Sequence, residues 1–499
     1  MQGVWTADAI RAAEAAMMVH VPGETIMRRA AYGLAGHVLG ALRAGGGGTT
    51  PRAGGGGTTP HRGAVGRRVV LLVGAGHNGG DALWAGYELR RRGVAVTAVL
   101  LAPERAYAPG LAALRRAGGR VVGAAAGVAA VRRADLVVDG IVGISGRGAL
   151  RAPEAVVAAQ EAGVPVVACD LPSGVDTDTG RVYEPAVQAD ATVTFGARKP
   201  VHVLAAPRCG PVHLVDLGLG PYLPAPHAHV LDAADVAARW PLPGPSDDKY
   251  SQGVVGIAAG SATYPGAAVL AAGAAVLATS GMVRYAGTGA EAVHARWPEV
   301  VATPDVGSAG RTQAWAVGPG SGTDDAGRTT VEAALARDVP LCLDADAITL
   351  LAQHADLRAA VRGRPVVLTP HAGEFARLAG DVGTDRVGAA RRAAAELGVT
   401  VLLKGHATVV ADPDGRALVH PSTTSFAATA GSGDVLSGII GALLAAGLEP
   451  WWAAGCAAFV HARAAEIAAA GVPAPASMLQ AAIPAAVRAV RNEMDQPSD

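Results

Sequence analysis

Short apolar runs alternate with longer amphipathic or small-residue stretches through most of the chain. Residues 69–73 (VVLLV) are apolar without a break, as expected for a strand buried on both faces. A helix is predicted at 81–92, a strand at 94–101, and further short strands at 136–139 and 164–169. The alternation lapses at Pro221, Pro224 and Pro226, and Pro241, Pro243 and Pro245 punctuate the chain again. A second series follows, with strands at 254–259, 314–317, 341–343, 366–368 and 401–403. Each series predicts an α/β domain built on a doubly wound, mostly parallel sheet. The boundary falls near residue 225, dividing the chain into domains 1–225 and 226–499.

Composition narrows the class. A chain of 499 residues is too long for one ordinary core. Its 42 basic and 42 acidic residues cancel, which gives no reason to expect nucleic acid or an anionic membrane as partner. Residues 250–283 carry no charge, but they are rich in Ala and Gly and are broken by Tyr264–Pro265–Gly266. A strand, a turn and a buried helix fit that stretch better than a membrane span. Residues 1–14 lack a basic region followed by an apolar core, so a soluble cytoplasmic protein is expected. Cys169, Cys209, Cys342 and Cys456 form no CxxC pair and read as small core residues in a reducing compartment. Residues 43–51 (RAGGGGTTP) recur unchanged at 52–60, so 43–65 is expected to be a low-complexity surface insertion too poor in apolar area to fold.

The densest chemistry is Thr429–Ala430–Gly431–Ser432–Gly433–Asp434, which runs into an apolar helix-like segment. Small residues at a helix start let backbone N–H groups approach an anion, and the helix dipole favours negative charge there. An aspartate at that point would repel a phosphate, unless it faces a hydroxyl that loses its proton while attacking the phosphoryl group. The plain alternative is a capping carboxylate. Other loops follow strand ends: Gly260–Ser261, 318–322 (GPGSG), Asp344–Ala345–Asp346–Ala347, 369–375 (TPHAGEF) and 404–408 (KGHAT). Taken singly, Asp344 and Asp346 could cap helices, His371 could be a satisfied loop residue, and Lys404 could be a solvated cation. Five such loops at equivalent strand ends form one constellation.

That order resembles the ADP-dependent NAD(P)H-hydrate dehydratases of the ribokinase-like superfamily. It reads KYxxG at 249–253, GSxxYPGAA at 260–268, GPGSG, DADA, LTPHxGEF, LKGxxT and TAGSGDVL. The resemblance covers roughly residues 226–490. It implies a ribokinase-like α/β/α domain in which Gly431–Ser432–Gly433 form the anion hole and Asp434 is the catalytic base. Ala267, Gly320, His371 and Asp434 would line the hydrate side. Lys404, Gly405, His406, Ala407, Thr408 and Gly433 would hold ADP, with Mg2+ as a candidate counter-ion. Ala430 stands where the family often has glycine, and Thr423–Thr424–Ser425–Phe426 replaces its usual Asn-Pro segment.

In the N-terminal half, Gly74–Ala75–Gly76–His77–Asn78–Gly79 matches GxGxxG after a strand. The acidic partner expected about twenty residues later is missing, and Glu104 lies too far along. The run GHNGGDA at 76–82 instead resembles the NAD(P)H-hydrate epimerases, over about residues 1–220 and with a Rossmann-like doubly wound sheet. Second and third loops at 139–149 and 170–176, and the segment 189–196, belong to the same resemblance. It implies Asp170 as the catalytic carboxylate. His77, Asn78, Gly79, Gly80, Asp81, Gly143, Ile144, Ser145, Gly146, Arg147, Gly148, Ala149 and Asp170 would contact the hydrate. Asn78, Asp139 and Ser173 would hold K+. The plain alternative is that Asp139 and Asp170 cap the following helices. His77, Ala82 and the run 26–31 (IMRRAA) depart from the family pattern, which carries a carboxylate where Arg28 stands.

Together the two resemblances imply a homo-oligomeric repair enzyme. It would epimerise hydrated NADH and NADPH and dehydrate the S form at the expense of ADP. A second reading is a ribokinase-like small-molecule kinase fused to a Rossmann oxidoreductase. In a third, the N-terminal domain is a non-catalytic binding module.

Overall fold

The computed structural model describes residues 1–45, 63–146, 148–150, 154–279, 281–421 and 424–494. Residues 46–62, which hold most of the first glycine-rich copy and all of the second, lie outside the described residues, as do Arg147 and Thr423. The chain forms two compact units, Gly3–His227 and Ala228–Asp499, the latter joined by Met1–Gln2.

In the first unit the strands are β1 (Arg68–Val73), β2 (Ala95–Leu100), β3 (Arg120–Gly123), β4 (Leu136–Gly140), β5 (Val166–Cys169), β6 (Ala191–Phe195) and β7 (Val212–Val215). They lie in the order β3-β2-β1-β4-β5-β6-β7, all parallel. The continuous apolar run has a simple cause. Val69, Leu71 and Val73 enter one core with Leu34 and Leu83, whereas Val70 and Leu72 enter the other with Val156 and Ala159. Helix α1 (Ala7–Met18) precedes α2 (Gly23–Arg43), and α2 with α3 (His77–Arg91) supplies the first of these cores.

Helix α3 begins at His77 rather than at the expected Asp81. Gly79 and Gly80 are poor helix formers, yet both positions are tight. A Cβ at Gly79 would lie 2.4 Å from the Gly74 carbonyl oxygen, and one at Gly80 would lie 3.0 Å from Met27. Close packing therefore overrides propensity.

In the second unit the strands are β8 (Ala228–Val230), β9 (Val254–Ala258), β10 (Met282–Ala286), β11 (Val301–Thr303), β12 (Ala314–Val317), β13 (Leu341–Leu343), β14 (Val366–Leu368), β15 (Thr400–Leu403), β16 (Ala407–Ala411) and β17 (Ala417–Pro421). Their order is β8-β17-β16-β15-β14-β13-β12-β9-β10-β11. The sheet is parallel from β15 to β11, and β16 and β17 pair antiparallel. Helices α4 (Pro265–Ala278), α5 (Asp346–Gln353), α6 (Ala372–Ala379), α7 (Ser432–Ala445) and α8 (Pro450–Ala469) carry or support the loops discussed below.

The uncharged stretch at 250–283 becomes β9, a turn and the buried helix α4. A Cβ at Gly438 would lie 2.2 Å from the Ala271 carbonyl, so α4 and α7 meet backbone to backbone. Small residues in α4 serve that contact. No described helix is long and apolar enough to cross a membrane. All four cysteines are buried and free.

Candidate active sites

In the first unit, successive strands are added outward in one direction from β1 to β3 and in the other from β4 to β7, so the winding switches between β1 and β4. The loops after these strands open a crevice at their carboxyl ends, where doubly wound sheets bind ligands. A cavity of about 790 Å³ lies there. His77, Asn78, Asp81, Gly143, Ile144, Ser145 and Asp170 line it. Gly79, Gly80, Gly146, Gly148 and Ala149 are not among the lining residues, and Arg147 lies outside the described ones. Arg28 is also absent from the lining. Its guanidinium stacks over Trp84 at 4.2 Å, so the departure from the family pattern at this position stands outside the cavity wall.

Asp170 does not cap a helix. Lys199 Nζ donates to its Oδ1 at 2.5 Å, and Thr194 Oγ1 donates to the same oxygen at 3.0 Å. Lys199 is 1% exposed and lines the cavity floor. Its backbone N–H donates to His202 Nδ1 at 3.1 Å. That leaves His202 Nε2–H to donate to the Asp170 carbonyl at 2.8 Å, and burial pushes this imidazole down to about 3. Asp170 itself has a φ of 72°, a conformation held by these contacts. Burial pushes Asp81 well above the usual carboxylate range, with Asp170 and Glu14 adding to the shift and Lys199 opposing it. Burial also raises Glu14, against the pull of Lys199.

Sequence reasoning missed Lys199 and Glu14. Lys199 could have been sought because it follows the end of β6 closely. Glu14 lies on α1, far from any motif, and nothing local marks it.

Asp139 and Ser173 form a buried pair. Ser173 Oγ donates to Asp139 Oδ1 at 2.7 Å, and its backbone N–H donates to Oδ2 at 2.8 Å. Burial lifts Asp139 to about 6 in spite of these bonds. Asn78 Nδ2 is buried without a hydrogen-bond partner. No direct hydrogen bond joins Asn78 to the Asp139–Ser173 pair among the described residues.

In the second unit, five loops converge at the carboxyl ends of β9, β12, β13, β14 and β15. Gly260 N–H donates to the Pro319 carbonyl at 2.7 Å, and Lys404 N–H to that of Pro370 at 2.8 Å. Gly320, with φ 61°, comes so close to α4 that a Cβ there would lie 3.0 Å from the Ala267 side chain. Ala267 and Gly320 therefore share one wall.

His371 caps α6, accepting from Gly373 and Glu374 N–H at 3.0 and 3.3 Å. Its Nε2 faces Glu374 Oε1 at 3.2 Å, and Glu374 Oε2 lies 3.8 Å from Lys404 Nζ. Asp344 and Asp346 do not serve as helix caps. Asp346 Oδ2 accepts from Gly322 N–H at 2.9 Å, and Asp344 holds Lys404. Lys404 is therefore not a solvated surface cation: its side chain is 20% exposed, and its Nζ lies 2.6 Å from Asp344 Oδ1.

Helix α7 starts at Ser432 after Gly431, whose φ is 88°, so Asp434 lies within the first turn rather than at the start. Among the described residues it accepts no capping bond. A Cβ at Gly433 would lie 3.4 Å from Lys404 Nζ, so lysine, glycine and helix start form one corner. Burial raises Asp434 to about 6; Asp344 and Asp346 add to the shift and Lys404 opposes it.

Ala407 and Thr408 belong to β16, and Ala407 is fully buried. Its side chain offers nothing to a ligand. Ser437 and Arg386 were missed. Ser437 Oγ donates to Asp344 Oδ2 at 2.6 Å, and Arg386 Nη2 donates to the Lys404 carbonyl at 2.9 Å. Ser437 is one helical turn beyond Gly433, a spacing that could have marked it.

Two family models match the chain. One described as NAD(P)H-hydrate dehydratase covers residues 255–485, and one described as YjeF-related protein N-terminus covers 23–201. The bifunctional NAD(P)H-hydrate repair enzyme Nnr of Mycobacterium tuberculosis is 56% identical over 453 residues, 90% of each chain. Its counterpart in Mycobacterium leprae is 53% identical over 498 residues, 98% of this chain and 100% of that one. A solved ADP/ATP-dependent NAD(P)H-hydrate dehydratase from Bacillus subtilis is 26% identical, with a TM-score of 0.47, and covers 53% of this chain and 99% of that one. This membership sets aside the fusion of a small-molecule kinase to an oxidoreductase: the chain belongs to the bifunctional NAD(P)H-hydrate repair enzymes.

Proposed function

We propose that residues 1–225 epimerise the R and S hydrates of NADH and NADPH, and that residues 226–499 dehydrate the S form with ADP. The observation that carries this reading is the pair of separate polar centres, Asp170–Lys199 in one unit and Asp344–Lys404–Asp434 in the other. Each lies at the strand ends of its own compact unit.

For dehydration, Asp434 takes the proton of the C6 hydroxyl as its oxygen attacks the terminal phosphoryl group of ADP. The P–O bond to AMP breaks. The Gly431–Gly433 N–H groups and Lys404 stabilise the charge that develops. The ring nitrogen lone pair then expels phosphate from C6, and loss of a C5 proton restores the double bond. The products are NAD(P)H, AMP and phosphate. An aspartate held at about 6 is ionised at neutral pH and still basic enough to accept a proton. Ala267, Gly320 and His371 would bound the hydrate, and the loop 404–408 would bound ADP. Mg2+, if bound, would serve as counter-ion to the nucleotide phosphates.

For epimerisation, Asp170 takes the C6 hydroxyl proton and the C6–N1 bond opens with its electrons on nitrogen. The Lys199 ammonium protonates N1. Rotation about the freed aldehyde carbon and reclosure, with both protons returned, give the other hydrate. Asn78, Asp139 and Ser173 suit K+ as hard oxygen donors. The desolvated Asp139 carboxylate fits such an ion. A bound K+ would supply a fixed positive charge beside the anionic substrate.

The test is incubation of the full chain with mixed R and S hydrates and ADP, read at the reduced-nicotinamide absorbance. Complete conversion, faster than spontaneous exchange, is expected. A plateau at the S fraction would leave the first unit a non-catalytic binding module.

A further inference from the structure

Below the 429–434 loop, α8 brings His461 against the start of α7. His461 Nε2 lies 2.8 Å from the Ser432 carbonyl oxygen. A carbonyl can only accept, so this nitrogen carries the hydrogen. Burial pushes the imidazole down to about 4, which keeps it neutral and in that role at working pH. Lys404 and His420 are the charged or titratable groups that bear on it and its neighbourhood.

The peptide unit between Ser432 and Gly433 is planar and trans, so its C=O and N–H point in opposite directions. Whatever fixes the Ser432 carbonyl also aims the Gly433 N–H. A hydrogen bond to the carbonyl further polarises the same peptide and strengthens its N–H as a donor. Among the described residues, neither the Gly433 nor the Asp434 N–H has an acceptor, as expected of groups left for a ligand at a helix start.

We propose that His461 is a positioning residue for the phosphoryl step, acting through the 432–433 peptide to aim and strengthen the Gly433 N–H. The proposal rests on the reading of Gly431–Gly433 as the anion hole and Asp434 as the base. It concerns a residue that never touches substrate, and it predicts a defect in turnover rather than in binding.

The full chain is assayed with the S hydrate and ADP in four variants. His461→Leu removes the donor. His461→Gln keeps an N–H at the reach of Nε2, and His461→Asn offers one that is too short. Asp434→Asn is run in parallel. The expected result is a fall in kcat of about tenfold or more for Leu and Asn, with the KM for ADP within about twofold, and recovery toward wild type for Gln. Should the Leu variant not fold, the Gln–Asn comparison decides alone. Equal kcat in the Gln and Asn variants, both high or both low, overturns the proposal, as does a loss confined to KM. If Asp434→Asn keeps its turnover, the reading of the site fails instead.

Discussion

Lys404 Nζ stands 2.6 Å from Asp344 Oδ1, while Ser437 Oγ donates to Oδ2 of the same carboxylate at 2.6 Å. The lysine comes from the end of β15, the aspartate from the end of β13 and the serine from α7. Burial opposes the lysine charge, yet Asp344 and Glu374 hold its pKa above the usual value. A cation is thereby kept charged against Gly433, where a phosphoryl group would arrive. Lys404→Met should lower dehydratase turnover by about 10²-fold or more, and Asp344→Asn should cost less because the ammonium survives but is released. Steady-state recovery of reduced-nicotinamide absorbance measures both. Wild-type turnover in the methionine variant would end this assignment.

Asp434→Asn should lower turnover by about 10²–10⁴-fold while ADP binding holds or tightens. In the wild type, kcat/KM should fall as pH drops through about 6, because the base must be ionised. The stability sign runs the other way from a salt-bridged carboxylate. A folded pKa raised from 3.8 to about 6 means the ionised form destabilises the fold above pH 6, and that cost disappears toward pH 4. The Asn variant should therefore melt higher than wild type at pH 7, by a margin that vanishes near pH 4. Melting curves at the two pH values decide it, and equal margins at both would refute the buried-charge account.

Lys199→Met should abolish catalysed R–S exchange and leave dehydration of pure S hydrate unchanged. It also strands Asp170 without its buried partner, so the first unit should lose stability by about 3–5 kcal/mol. Asp170→Asn with Lys199→Met restores neutrality and should regain part of that stability without regaining exchange. Chiral chromatography of the hydrates and thermal melts separate the two effects. Persistent exchange in the single variant would remove Lys199 from the reaction.

Potassium should accelerate R–S exchange relative to choline at equal ionic strength, and it should raise the melting temperature of the first unit by mass action. Asn78→Ala should weaken both responses. Dehydration of S hydrate should be indifferent to the swap. Identical melting in potassium and choline would argue against an ion at Asn78, Asp139 and Ser173.

Some features follow from residue type and spacing alone. The run at 69–73 had to be a doubly buried strand, because both faces of a parallel sheet are covered. The motif loops after 254–258, 314–317, 341–343, 366–368 and 400–403 were legible because open α/β sheets bind ligands at strand ends. Both helix starts were less legible. Gly79, Gly80 and Gly433 look like loop residues by propensity yet are helical, and at Gly79 and Gly80 neighbouring groups leave little room for a side chain.

The sequence by itself determined the family, the two α/β patterns and the loops that carry chemistry, because those depend on local spacing and residue type. Tertiary structure alone decided which charges meet. Lys199 reaches Asp170 across 29 positions, Lys404 reaches Asp344 across 60, and Ser437 reaches Asp344 across 93. It also decided that Arg28 stacks on Trp84 outside the cavity wall, and that Asp434 is half-buried near Asp344 and Asp346. Charge interactions depend on distance and on exclusion of water, and neither is set until the strands have taken their order in the sheet.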